Sequence, residues 1–140
     1  MIIKYNSKEL DLLARIMRAE ALNEGNLGML MVGNVVVNRA IANCLTFKNI
    51  RTLTEAIYQP NQFVGTKSSL FQSSSTKTEK NLAKRVINGE YYHPATNALW
   101  FYAPASNTNC KEKWYDQNFA GRYKNHCFYK PESGVCQEIY

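Results

Sequence analysis

Two carboxylates four residues apart, Glu20 and Glu24, close an amphipathic segment that runs into an almost wholly apolar one. An acid at the seam between a helix and a buried partner is desolvated, and desolvation raises the pKa of a carboxyl group. Glu20 is therefore the candidate catalytic acid. Glycosidic cleavage commonly uses two carboxyl groups about 5–9.5 Å apart. Residues one helical turn apart are neighbours on a helix surface, so Glu24 could complete a pair. Such a pair more often joins one functional acid to one structural partner, and Glu24 is given the auxiliary place. A single acid suffices where the substrate brings its own nucleophile, such as an N-acetyl group.

Other chemistries find less support. None of the seven glycines forms a phosphate loop or a dinucleotide fingerprint. No Ser stands in G-x-S-x-G, and no H-E-x-x-H is present. A cysteine nucleophile beside His126 has no specific support. Cys44, Cys110, Cys127 and Cys136 form no C-x-x-C pair. Three of them with His126 could hold zinc, but the spacings fit no common zinc motif, so no metal and no cofactor is expected. Disulfides and free buried thiols both remain open. What is left is carboxylate chemistry beside aromatic platforms. Sugar rings present flat C–H faces that suit Trp and Tyr. Trp114 and Tyr115, in a polar stretch, are groove candidates; Trp100 and Phe101, in an apolar one, read as core.

The elements that must position these groups follow from periodicity. Asn6 to Asn23 reads as a helix, with a capping-box spacing at Asn6 and Glu9 and one face of Leu10, Leu13, Ala14, Met17 and Ala21. At about 100° per residue Glu20 falls at the edge of that face and Glu24 within it, while Arg15 and Arg18 point elsewhere. Gly25 and Gly28 turn the chain into a second helix, Gly28 to Ala42, apolar on several faces and hence central. Gly33 would let another helix approach. Asn34 and Asn38 share a side of it and need partners; a sugar amide could serve Asn38, and so could a neighbouring loop. Thr52/Glu55 and Thr76/Glu79 open two further helices, ended by Pro60 and Gly89. Asn61 to Thr76 reads as a polar loop, its run Gln72 to Thr76 flexible by composition. Twelve of the seventeen aromatics lie from Tyr91 onward, where the character changes. Ala98–Tyr102 reads as a buried strand. Gly121–Tyr129 reads as a second strand or hairpin arm with Tyr123, Cys127 and Tyr129 on one face, and an irregular loop carries Trp114, Tyr115 and Phe119 between them.

The 140 residues suit one domain, 1–140, of α+β class and mainly helical. The net charge of +6 is spread evenly along the chain and suggests attraction to a polyanion, either nucleic acid or an anionic cell wall. Even spread and the absence of a recognised motif argue against nucleic acid. Met1-Ile2-Ile3-Lys4 begins no secretory signal, and the run Leu27–Val37 is too short to span a bilayer, so no membrane insertion is expected. The expectation is synthesis in the cytoplasm, where the protein stays unless lysis or assembly moves it out.

Several motifs in order carry a resemblance. Glu20, Glu24, Gly28 and Asn38-Arg39 form one ungapped pattern, followed by Gln59-Pro60-Asn61-Gln62-Phe63, then Ala98-Leu99-Trp100-Phe101-Tyr102-Ala103-Pro104, then His126-Cys127-Phe128. The chain resembles the SleB/CwlJ cell-wall hydrolases, the spore cortex-lytic enzymes, over essentially its whole length, and is most similar to the short CwlJ type, which carries cysteines where the four stand here. The resemblance implies a lysozyme-like, lytic-transglycosylase-like fold with a short antiparallel β element in the C-terminal half. It implies peptidoglycan glycan strands as substrate and Glu20 as general acid/base. SleB-related members resemble lytic transglycosylases, in which the glutamate protonates the glycosidic oxygen after N-acetylmuramic acid and a C6 hydroxyl closes a 1,6-anhydro ring. The CwlJ type has also been labelled an amidase, and a non-catalytic wall- or coat-binding module is a further alternative. Gln59, Phe63, Tyr102, Trp114 and His126, with Asn38, are the expected substrate-binding residues. Deposition in the spore coat from the mother-cell side with a partner coat protein is implied for this type; release by lysis fits equally.

Overall fold

A computed structural model describes residues 3–60 and 62–140. Met1 and Ile2, where no secretory signal is expected to begin, and Asn61 of the Gln59–Phe63 motif lie outside them.

Among the described residues five α-helices precede a four-stranded antiparallel sheet, as the α+β reading expects. Helix α1 (Ser7–Ala21) is capped by the Asn6 side chain, which accepts the Glu9 N–H. A 3₁₀ turn, Leu22–Glu24, leads into α2 (Gly25–Ile41). The second helix thus starts a turn earlier than expected. Gly25 makes the reversal alone, at φ +79°, a conformation that suits glycine. Gly28 lies inside the helix, where a Cβ would come 2.5 Å from Glu24 Cβ. Helix α2 is the central element. Val32, Val35 and Val36 are wholly buried, and at Gly33 a Cβ would stand 2.9 Å from both Met17 Sδ and Val86 Cγ2. Helix α1 therefore packs close on one side of it and α5 on another.

Helix α3 (Leu53–Tyr58) and helix α5 (Lys77–Ile87) both open on complete capping boxes, at Thr52/Glu55 and Thr76/Glu79. Between them the expected loop holds a 3₁₀ turn, Val64–Lys67, and the short α4 (Ser69–Gln72). This segment is anchored by α1. Arg18, expected to point away from the core, is buried. Its Nε and Nη2 donate to Leu70 O, Nη2 to Ser73 O, and Nη1 to Ser74 O and Glu79 Oε1 at 2.8 Å. Arg15 donates to Phe71 O, and Asp11 accepts the Ser75 N–H. The serine run is thus held by its carbonyls, a restraint invisible in its composition.

The sheet runs in the order β1-β4-β3-β2, with β1 at Trp100–Tyr102, β2 at Lys113–Trp114, β3 at Gln117–Tyr123 and β4 at His126–Lys130. Two expectations are corrected here. Trp114 and Phe119 lie in strands rather than an irregular loop. Gly121–Tyr129 is two arms joined at Lys124-Asn125, so Tyr123 pairs with His126 and shares a face with Phe128, while Cys127 and Tyr129 take the other face. A tight turn restarts the alternation of side chains, and a run read as one strand misassigns everything beyond it. All four cysteines are bonded, Cys44 to Cys136 and Cys110 to Cys127, which removes them from zinc chemistry and closes the choice between thiols and disulfides. No helix among the described residues is long and apolar enough to cross a membrane.

Candidate active site

A cleft of about 800 Å³ opens between the ends of α1 and α2, the anchored 62–67 segment and residues from all four strands of the sheet. Glu20, Arg39, Tyr102, Trp114, Tyr115 and His126 are among its lining residues, and Glu20 is the one carboxylate there among the described residues.

Glu20 sits on the last turn of α1, partly buried. Burial raises its pKa above the ordinary carboxylate value, opposed by a hydrogen bond from the Gly65 backbone, by the attraction of His126 whenever its ring is protonated, and by that of Arg39. Gly65 is required for that contact, because a Cβ there would collide with the Glu20 carboxylate. The anchoring of 62–76 by Arg18 and Arg15 therefore reaches the acid: α1 carries Glu20 and also holds the segment that presses on it.

Arg39, on α2, is 3% exposed. Its guanidinium stands 5.0 Å from the Phe47 ring centroid and 4.5 Å from that of Phe63, and Nε donates to Leu99 O at 2.7 Å. Nη1 has no partner among the described residues. Burial lowers its pKa and Glu20 raises it again; an arginine nevertheless stays charged at neutral pH.

Glu24 turns away from the cleft. Helix α1 has ended at Ala21, so the rotation of 100° per residue no longer applies, and the 3₁₀ turn aims the carboxylate at the β3–β4 turn. Oε2 accepts the Asn125 N–H at 2.7 Å and Oε1 meets His126 Nδ1. Lys124 Nζ donates to the Glu24 carbonyl at 3.2 Å. Both Glu24 and His126 are buried, and the His126 ring meets Phe101 edge-on at 5.1 Å.

The opposite wall is aromatic. Tyr102 and Trp114 lie 4.9 Å apart, Trp114 and Tyr115 4.8 Å, and Tyr102 stacks on Tyr129 at 5.7 Å. Tyr102 Oη accepts the Lys111 N–H, Tyr129 Oη donates to Lys111 O, and the neighbouring Cys110 is bonded to Cys127 of β4. The 74%-exposed Tyr115 stands at the rim at φ +51°.

Of the expected residues, Glu20, Tyr102, Trp114 and His126 come together in the cleft. Asn38, Gln59, Phe63 and Glu24 do not. Asn38 spends its amide on the carbonyls of Ala95, Thr96 and Ala98, the loop partner the sequence allowed. Gln59 donates to Thr46 O, and Phe63 is buried behind Arg39. Arg39, Gln62 and Gln117 line the cleft without a signal for it in their spacing; Trp100 and Phe101 pack in the core, as their apolar strand implies, and also reach the cleft. The signal for Arg39 was a charge inside an apolar helix, which needs a reason to be there. Among the described residues no three His, Cys, Asp or Glu side chains are grouped to hold a metal.

Residues 23–129 match the Cell Wall Hydrolase family. A cell wall hydrolase CwlJ of Oceanobacillus iheyensis is 51% identical over 140 residues, covering 99% of this chain and 98% of its own. The catalytic domain of the Bacillus cereus SleB protein superposes with a TM-score of 0.72 at 24% identity, covering 91% of this chain and 93% of that one. The catalytic domain of the germination-specific lytic transglycosylase SleB of Bacillus anthracis gives 0.70 at 23% identity, covering 90% and 97%. At those identities the two structures establish a likeness of fold.

Proposed function

Because the chain belongs to the cell wall hydrolase family, we propose that it opens the glycan strands of spore-cortex peptidoglycan with Glu20 as the proton donor. The observation that carries this reading is the placing of one partly buried carboxyl group, pKa raised, opposite an aromatic wall. A sugar lies flat on Tyr102, Trp114 and Tyr115 while Glu20 protonates the glycosidic oxygen. The bond from C1 breaks, and the emptied carboxylate is stabilised by Arg39 and the Gly65 N–H. With no second acid lining the cleft among the described residues, a two-carboxylate mechanism lacks its base or nucleophile. An attack by the substrate's own C6 hydroxyl, its proton passing to Glu20, closes a 1,6-anhydro ring without water.

Glu20→Gln keeps the fold and lowers glycan cleavage by at least about 100-fold, the usual worth of a positioned acid. Mass spectrometry of the digested muropeptides reads the outcome: anhydro ends support the reaction, reducing ends indicate hydrolysis, and free peptides indicate an amidase. Full activity in Glu20→Gln removes Glu20 from the chemistry. Activity falls as pH rises through the raised Glu20 pKa, because the acid form is lost. The stability sign runs the same way. The folded state favours protonated Glu20, so stability declines as pH rises from the unfolded carboxylate pKa to the folded one. Glu20→Gln therefore melts higher than the parent at neutral pH.

Two disulfides support a working place outside a reducing cytosol, and deposition in the spore coat beside a coat protein meets that requirement. Thiol titration of protein extracted from dormant spores finds no free cysteine on this reading; free thiols count against it.

A further inference from the structure

We propose that Glu24 fixes His126 as a hydrogen-bond acceptor facing the cleft, where His126 Nε2 receives an O–H or N–H of the bound glycan and sets the register of the sugar over Glu20. The proposal rests on the glycan reading above and assigns a specificity-determining residue, His126, and a positioning residue, Glu24, to that site.

The geometry gives each ring nitrogen its role. Nδ1 faces Glu24 Oε1, and a carboxylate is an acceptor, so the neutral ring carries its proton on Nδ1. Glu24 cannot rotate away, since Oε2 holds the Asn125 N–H and the Glu24 carbonyl holds Lys124 Nζ. Nε2 is then the nitrogen with a free lone pair. Among the described residues no protein group bonds to it, and it is not among the buried unpaired atoms, while the residue lines the cleft together with Glu20. The ring plane is set by Phe101 at 5.1 Å, Phe128 at 6.2 Å and the cross-strand Tyr123. The charged and titratable groups around it are Glu20 and Glu24 from the α1–α2 junction, Arg39 from α2, and Tyr123 and Lys124 from the hairpin. Arg39 can only donate. In its neutral form His126 thus gives the cleft an acceptor, which selects substrate groups bearing a hydrogen: hydroxyls and acetamido N–H groups.

The chain holds two histidines, and His93→Gln leaves one, so long-range ¹H–¹⁵N correlation reads the His126 tautomer without ambiguity. At neutral pH the folded protein shows Nδ1 protonated and Nε2 bare; Nε2–H or a doubly protonated ring overturns the proposal. Glu24→Gln weakens that preference while the protein stays folded. On soluble glycan oligomers, His126→Ala raises KM by about tenfold, the worth of one neutral hydrogen bond, with kcat changed less. His126→Gln, which restores a side-chain carbonyl, recovers part of the loss. Comparison of N-acetylated with de-N-acetylated oligomers identifies the donor: if the His126 effect vanishes on the latter, the N–H is bound, and if it persists, a hydroxyl is. Unchanged KM in His126→Ala removes the inference and leaves Glu20 untouched. Undiminished cleavage by Glu20→Gln removes the proposed function, and the tautomer measurement still reads the Glu24–His126 pair.

Discussion

The two banks of the cleft are built on different physics. The helical bank holds a proton donor by charge-assisted hydrogen bonds. Arg18 and Arg15 tie residues 70–74 to α1, and that segment brings Gly65 against Glu20. The sheet bank holds aromatic surface by stacking and by a disulfide, through Tyr102, Trp114, Tyr129 and Cys110–Cys127. Hydrogen bonds between charges and carbonyls fix position within tenths of an ångström. Stacked rings fix a plane and leave sliding freedom. Chemistry needs the first and a polymer threading through needs the second. Lesions on the helical bank should therefore appear in kcat, and lesions on the sheet bank in KM.

The largest effect expected crosses both banks. Cys44 follows α2 and Cys136 lies beyond the sheet, 92 residues apart, so replacing both with Ala costs about 4–5 kcal/mol on a loop-closure argument. Denaturant unfolding measures it, and a loss below about 1 kcal/mol would say that the banks hold each other by packing alone. Next, Arg18→Met breaks the buried contact with Glu79 and releases four carbonyl bonds, for about 3 kcal/mol, with kcat falling in the fraction that stays folded. Gly65→Ala leaves the melting temperature close to the parent yet lowers kcat by up to about 100-fold, because the acid is displaced by a fraction of its own length. An unchanged kcat there would show that the helical bank tolerates sliding too. The smallest is Trp114→Ala, which raises KM on glycan by up to about tenfold with kcat nearly intact; a fall in kcat instead would erase the distinction between the banks.

The same contrast sets what the sequence discloses. The helical bank rests on rules that act within four residues. Asn6 with Glu9, Thr52 with Glu55 and Thr76 with Glu79 are readable because cap and amide are neighbours in sequence. Glu20 is readable because it lies on a regular helix; Glu24 is not, because the helix stops before reaching it and a single glycine redirects the chain. The sheet bank depends on pairings between distant residues. Nothing local says that β1 lies beside β4, or that the irregularity between Phe119 and Gly121 shifts the register by one. The Arg18 carbonyl bonds and the Gly65 contact were hidden for a similar reason: each joins residues more than forty positions apart through backbone atoms, which every residue type has.

The Glu24–His126 contact joins residues 102 positions apart. A contact of such span carries a large loop-closure cost, whereas a helix closes only local loops. A nascent or partly unfolded chain with its helices assembled and its hairpin undocked already owns Glu20 but has no far shore to its channel. The cleft is therefore whole only when the hairpin has docked on the helices.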